Sequence, residues 1–209
     1  MARAPQTVLL IAALAAAPLG GGDGARAAQA QSAAGLRGPD AFAGIGDRAQ
    51  RSIALFAEAG KVLQHPRCQN CHPGDDRPRQ GDDGRPHQPP VRPGADGLGA
   101  AGLRCPACHG EANYDAVGMP GVAGWHLAPP SMGLRGRPLA AICAQVKDLD
   151  KNGSRELADI VSHVDQDRLI AWAWAPGPGR QAAPGTHATF VALIRGWVET
   201  GAECPAVGR

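Results

Sequence analysis

Two five-residue stretches carry the chemistry of this chain, Cys68-Gln69-Asn70-Cys71-His72 and Cys105-Pro106-Ala107-Cys108-His109. Both read C-x-x-C-H, the attachment signature of a c-type haem. Two cysteines separated by two residues on one turn can each form a thioether to one edge of a porphyrin. The next residue then stands over the iron, where a neutral imidazole serves as proximal ligand. The motifs therefore assign Cys68, Cys71, Cys105 and Cys108 to covalent attachment of two c-type haems, and His72 and His109 to the two irons.

Other chemistry uses the same cysteine pairs. Four thiolates suit a zinc ion, and a C-x-x-C pair suits dithiol redox chemistry in a βαβ setting. Neither needs His after each pair. The chain has 7 His among 209 residues, so two such neighbours arise by chance roughly one time in a thousand. No βαβ pattern is visible. The haem reading leads.

Each haem needs a sixth ligand or an open position. The distal candidates are His87, Met132 and His163. His87 is the one residue able to ligate iron in the irregular stretch 73–104. Met132 ends the Pro-braced segment Trp125-His126-Leu127-Ala128-Pro129-Pro130-Ser131-Met132, an extended run that can hold a thioether over iron. A Met filling a gap in the core is the alternative. His163 lies off the apolar stripe of its helix, either solvated or facing a haem. Met119 is a further sulfur candidate, since Gly118-Met119-Pro120 also looks like a ligand loop, but it follows Cys108 closely; His126 suits a haem propionate, and His187 reads as a surface residue. His65 lies so near Cys68 that it falls on the wrong side of the ring. His/Met ligation raises a haem's potential relative to two histidines.

A calcium pattern also needs weighing. Asp148-Leu149-Asp150-Lys151-Asn152-Gly153 continues to Glu156 and Asp159, matching D-x-D-x-N-G with acids at loop positions 9 and 12. Arg155 stands where such loops carry an apolar residue, and position 12 is Asp. An ordinary polar turn, with Gly153 at positive φ and Ser154 as helix cap, is favoured over calcium at Asp148–Asp159.

The elements that must position these groups read as helices. Ile53, Phe56, Ala57, Gly60 and Leu63 recur at helical steps over 47–64, with Pro66 as the stop. Pro138 opens a short helix reaching about Lys147. Ser154 caps another, with Leu157, Ile160, Val161 and Val164 on one face. Thr186 caps the last, whose stripe is Phe190, Leu193, Ile194, Trp197 and Val198, and Gly201 stops it. Residues 73–104 mix acids with Gly and Pro and either lack order or wrap a cofactor. No alternating strand is evident. The expected class is all-α and cytochrome c-like, with short helices and long irregular loops wrapped around two covalently bound haems.

Composition sets the compartment. Arg3 and the apolar run Val8–Leu19 read as a signal peptide over 1–27, with small-residue cleavage sites near Ala27 or Ala30. A loose leader is expected over 28–44, and one haem-bearing domain over 45–209. No later apolar run spans a membrane. Export to the periplasm suits c-type haem attachment. Lys and Arg number 21 against 19 Asp and Glu, with no basic stripe, which excludes a nucleic-acid binder. Few aromatics, 29 Gly and 19 Pro leave a thin core that two haems would supplement. Cys143 and Cys204 remain outside the motifs. In an oxidising compartment they are expected to form a disulfide, against the alternative of a buried thiol at Cys143.

The run from His65-Pro66-Arg67-Cys68 through the second motif to Trp125-His126-Leu127-Ala128-Pro129-Pro130 resembles a group of small exported bacterial dihaem proteins. Some of these carry the label "isoquinoline 1-oxidoreductase subunit". The resemblance extends through Ile142-Cys143, Asn152-Gly153, Trp172-Ala173-Trp174 and Ala183-Pro184-Gly185-Thr186, nearly the whole chain after the signal segment. It implies haem attachment at the four motif cysteines and iron ligation by His72 and His109, and the label implies electron transfer beside a molybdenum hydroxylase, although nothing in this chain resembles a molybdopterin or iron–sulfur site. It does not identify distal ligands. The group lacks an acid matching Asp150, which further weakens calcium.

These readings predict a periplasmic carrier, passing electrons from a dehydrogenase or oxidoreductase to a downstream acceptor. Its partners would be redox proteins, and nothing in the residues speaks to oligomeric state. The alternative is a dihaem peroxidase-like or ligand-sensing protein with one open iron site, which requires an exchangeable position and nearby acid–base groups.

Overall fold

Asp47 accepts a hydrogen bond from the Gln50 N–H at 2.8 Å, and this cap opens helix α1, Arg48–Leu63. The computed structural model describes residue 1 and residues 35–206. Among these residues five more α-helices follow: α2 (Pro66–Gln69), α3 (Leu139–Lys147), α4 (Leu157–Gln166), α5 (Arg168–Trp172) and α6 (His187–Glu199). The chain is thus mostly helical, with few short strands. The expected signal segment beyond residue 1, and the leader as far as residue 34, lie outside the described residues.

The core forms where α1 packs on α6 and α6 packs on α4. Phe56 of α1 and Trp197 of α6 are fully buried, with ring centroids 4.8 Å apart. Leu55, Val62, Ile142, Ile160, Leu193 and Ile194 surround them. Fully burying such side chains contributes roughly 1.5–3 kcal/mol each. Gly60 allows α3 to approach α1, since a Cβ there would stand 2.6 Å from a Leu139 methyl. The buried Ser52 hydroxyl donates to the Trp197 carbonyl at 3.1 Å and accepts from the Glu203 N–H at 2.9 Å. The expected disulfide is present: Cys143 of α3 joins Cys204 beyond α6 across 61 residues. A loop of that length is stabilised by about 4 kcal/mol in the chain-entropy model.

Several expectations are corrected. The leader is not loose over 35–44. Phe42 is buried, Leu36 packs on the core, and Arg37 pairs with the buried Glu58 at 3.0 Å. The inward face of α1 is Ser52, Leu55, Phe56, Ala59 and Val62, while Ala57 is exposed. The true face is turned toward α6, about one residue away from the expected stripe. Helix α4 starts after Glu156 rather than at Ser154. The Glu156 N–H donates to Asp159 at 3.1 Å, and Ser154 instead takes a φ of 58° in the turn.

Residues 73–104 are ordered, and they contain strands that the pattern did not reveal. Strand β1 (Arg79–Gln80) pairs antiparallel with β2 (Arg85–Pro86), and β3 (Gly99–Ala100) with β4 (Leu103–Arg104). Two-residue strands are too short to show alternation. Their signal is in the turns, where Gly84 and Gly102 take φ of 63° and 85°.

Candidate functional site

Both motifs curl through one turn of helix. Pro66 occupies the first turn of α2, capped by His65, whose Nδ1 accepts from the Arg67 N–H at 3.2 Å. The turn continues past Cys71, since the His72 N–H donates to the Cys68 carbonyl at 3.0 Å. In the second motif Pro106 opens a 3₁₀ turn, Cys105–Ala107. The Cys108 and His109 N–H groups both reach the Cys105 carbonyl, at 3.1 and 2.9 Å. A turn of this kind brings cysteines three apart to one side, with the following His beside them.

The two motif histidines are held alike by unrelated segments. His72 Nδ1 lies 2.9 Å from the Met132 carbonyl, and His109 Nδ1 lies 2.7 Å from the Pro120 carbonyl. A carbonyl only accepts, so each Nδ1 carries the proton and each Nε2 keeps its lone pair. Metal-bound histidines are oriented in this way. Burial holds both imidazoles below the usual His range, and for His72 the neighbouring His163 and His126 push in the same direction. Both rings are thereby kept neutral, the form that binds a metal. Trp125 stacks on the His109 ring at 4.6 Å, and its own edge meets Trp172 at 4.9 Å.

A cavity of about 780 Å³ takes Cys71 from the first motif and Cys105, Cys108 and His109 from the second. That volume is in the range of cofactor sites. The loop 78–93 supplies much of its wall, including His87. Burial pushes the Cys68 thiol up to about 12 and the Cys71 thiol up to about 11, and it raises Cys105 as well. Raised thiols are the opposite of the low-pKa thiolates that dithiol exchange uses. Among the described residues, no three His, Cys, Asp or Glu side chains converge as a metal-holding group.

Two guanidinium donors and the Asn70 Oδ1 acceptor line the cavity beside the first motif without hydrogen-bond partners. Arg67 and Arg79 line the cavity, and each has a buried Nε with no hydrogen-bond partner. Arg67 is 3% exposed and pairs with Asp82. Burial lowers its pKa and Asp82 opposes that shift. Carboxylate groups, such as the propionates of a haem, would satisfy these donors.

The remaining candidates are spread around the site. His87 lies 5.9 Å from His109, ring centre to ring centre, at 68° between planes. Its Nδ1 is 2.9 Å from the Pro89 carbonyl. His163 Nδ1 is 3.4 Å from Asp167. His126 Nδ1 is 2.6 Å from the Gly124 carbonyl. Met132 contributes its carbonyl to His72, and its methyl lies against Gly153. Met119 precedes Pro120, whose carbonyl holds His109. His187 is no free surface residue: it reaches the Val164 carbonyl at 2.6 Å and packs on Trp174.

Asp148, Asn152 and Asp159 of the Asp148–Asp159 loop spend their side-chain oxygens internally. Asn152 Oδ1 accepts from the Arg155 N–H at 2.9 Å, Asp148 pairs with Lys151 at 2.6 Å, and Asp159 caps Glu156. Gly153 has the expected positive φ, 77°. Sequence reasoning missed Trp125, Arg67 and the Pro120 and Met132 carbonyls. Only the indole and the guanidinium were visible as residue types; a backbone carbonyl gives no signal in sequence. A scan against protein-family models finds no match, and comparisons with curated proteins and with solved structures find none either.

Proposed function

We propose that this chain is a cytochrome c-like dihaem protein of the periplasm that carries electrons from a dehydrogenase or oxidoreductase to a downstream acceptor. The observation that carries this reading is the identical restraint of His72 and His109. Each follows a C-x-x-C pair, and each has Nδ1 tied to a backbone carbonyl so that Nε2 remains a metal-binding lone pair. A haem bound in this way supplies one-electron ferric–ferrous chemistry, one electron per iron taken from a reduced partner and passed to an oxidised one.

The chain's own residues would do the rest. Cys68, Cys71, Cys105 and Cys108 would hold the haems by adding their S–H groups across the vinyls, each S–C bond replacing the vinyl double bond and the hydrogen going to the neighbouring carbon. The Met132 and Pro120 carbonyls aim the two imidazoles. Arg67 and Arg79 would take propionate oxygens on the unpartnered Nε–H groups described above. Met132 would hold His72 through its carbonyl, while its methyl lies against Gly153. His163, with Asp167 at its Nδ1, stands close enough to His72 to lower its pKa.

The test is the intact mass of denatured protein, produced with export and haem-attachment machinery. The native chain should retain two haem masses, and Cys68→Ala/Cys71→Ala should retain one. A native chain that retains none contradicts the proposal.

A further inference from the structure

We propose that His87 is the sixth ligand of the second haem, pairing with His109 across the iron. The proposal rests on the dihaem reading and adds what that reading leaves open, the state of one coordination position. The ring separation comes first. With metal–imidazole bonds of about 2 Å, two rings sharing one iron through Nε2 have centres roughly 6 Å apart. His87 and His109 stand at 5.9 Å. Their mutual angle of 68° is open to such a pair, because both planes contain the ligand–iron axis and are free to twist about it.

Protonation is the second observation. His87 Nδ1 lies 2.9 Å from the Pro89 carbonyl, as His109 Nδ1 lies 2.7 Å from that of Pro120. Both rings therefore carry the proton on Nδ1 and leave Nε2 as the ligating atom. Placement is the third. His87 and His109 line the same cavity as Cys105 and Cys108. His87 follows directly on the β1–β2 hairpin, its N–H bonded to the Pro78 carbonyl at 3.0 Å. The hairpin is itself anchored on the first motif: Asn70 Nδ2 donates to the Gly81 carbonyl at 2.8 Å, and the Arg79 N–H donates to the Asn70 carbonyl at 3.1 Å. The segment built on the first attachment site thus delivers the ligand of the second.

The other sulfur candidate is less well placed. Met119 adjoins Pro120, whose carbonyl holds the Nδ1 side of His109. Its backbone is therefore behind the proximal ring. A bis-histidine centre has a lower potential than a His/Met one and is closed to small ligands.

The experiment compares full-length exported protein with His87→Gly. Both should retain two covalent haems, since Cys105, Cys108 and His109 are untouched. Native ferric protein should be low-spin at the second haem. In His87→Gly one haem of the two should become high-spin when ferric and bind carbon monoxide when ferrous, and added imidazole should restore the low-spin form. Two low-spin haems in His87→Gly overturn the assignment. High-spin haem that imidazole does not rescue also overturns it, because His87 would then only brace the loop. Should His87→Gly lose its second haem, His87→Met decides. A new far-red sulfur-to-iron band and a raised potential support the pairing, and their absence overturns it. A native chain without haem overturns the dihaem reading itself, an outcome distinct from a loaded chain indifferent to His87.

Discussion

At the scale of single residues, His65 shows how the fold dictates a protonation state. Its Nδ1 accepts from the Arg67 N–H, so the neutral ring carries its proton on Nε2. A second proton would have to sit on Nδ1 and break the cap of α2. Burial, with the nearby Arg67 charge adding to it, lowers the pKa from 6.5 to about 4. The folded pKa lies below the unfolded one. Its stabilising contribution is therefore complete above pH 6.5 and is lost as pH falls toward 4, because the unfolded chain binds a proton that the folded chain refuses. The full loss is about 3 kcal/mol. Asn keeps a capping acceptor and does not titrate. Urea unfolding of His65→Asn should therefore lack this part of the slope between pH 7 and 4 that the native chain shows, and equal slopes would contradict the assignment. The motif cysteines and histidines stand out in the sequence by type and spacing alone. His65 was legible only as a neighbour of Cys68, because its role is set by one backbone N–H and by burial. The carbonyls that orient His72 and His109 could not be read at all, since every residue has one.

At the scale of elements, the segment that carries the Met132 carbonyl is wedged against the loop leaving the first motif. Gly133 meets the Gly74 backbone so closely that a Cβ would collide with the Gly74 Cα. The Leu134 and Arg135 N–H groups both return to the His72 carbonyl, at 2.9 and 3.2 Å. His72 is thus clasped through both its ring and its backbone. Gly133→Ala should force these segments apart and destabilise the protein by about 1–3 kcal/mol, as overpacking does. A thermal melt reads this directly, and an unchanged midpoint would contradict the close packing. Elements with a long apolar stripe were legible in place: α1 falls within the expected 47–64 although its inward face differs, and Thr186 caps α6 as expected, with the Thr189 N–H on Thr186 at 3.1 Å. The β1–β2 and β3–β4 hairpins were not, because two residues per strand carry no period. Ser154 looked like a cap, yet the turn through Gly153 delays α4 until Glu156.

At the scale of the whole described chain, residues 35–206 belong to one compact unit with two unlike parts. The helices hold most of the buried apolar side chains. Between α2 and α3 the buried apolar residues are only Leu127, Ala128 and Leu134. The sequence suggested a thin core throughout. The structure instead gathers a full core beneath the helices and leaves the motif-bearing part built on turns, ion pairs and a cavity. Covalent haem would supply the apolar mass that this part lacks, while the Cys143–Cys204 bond secures the helical part independently. No described helix is long and apolar enough to cross a membrane. The dihaem proposal is tested most directly by the absorption spectrum of the exported protein, oxidised and reduced, with a haem count per chain. Two covalently bound haems are expected, with the second low-spin and six-coordinate. A preparation without haem, or one that holds zinc at the four motif cysteines, would contradict it.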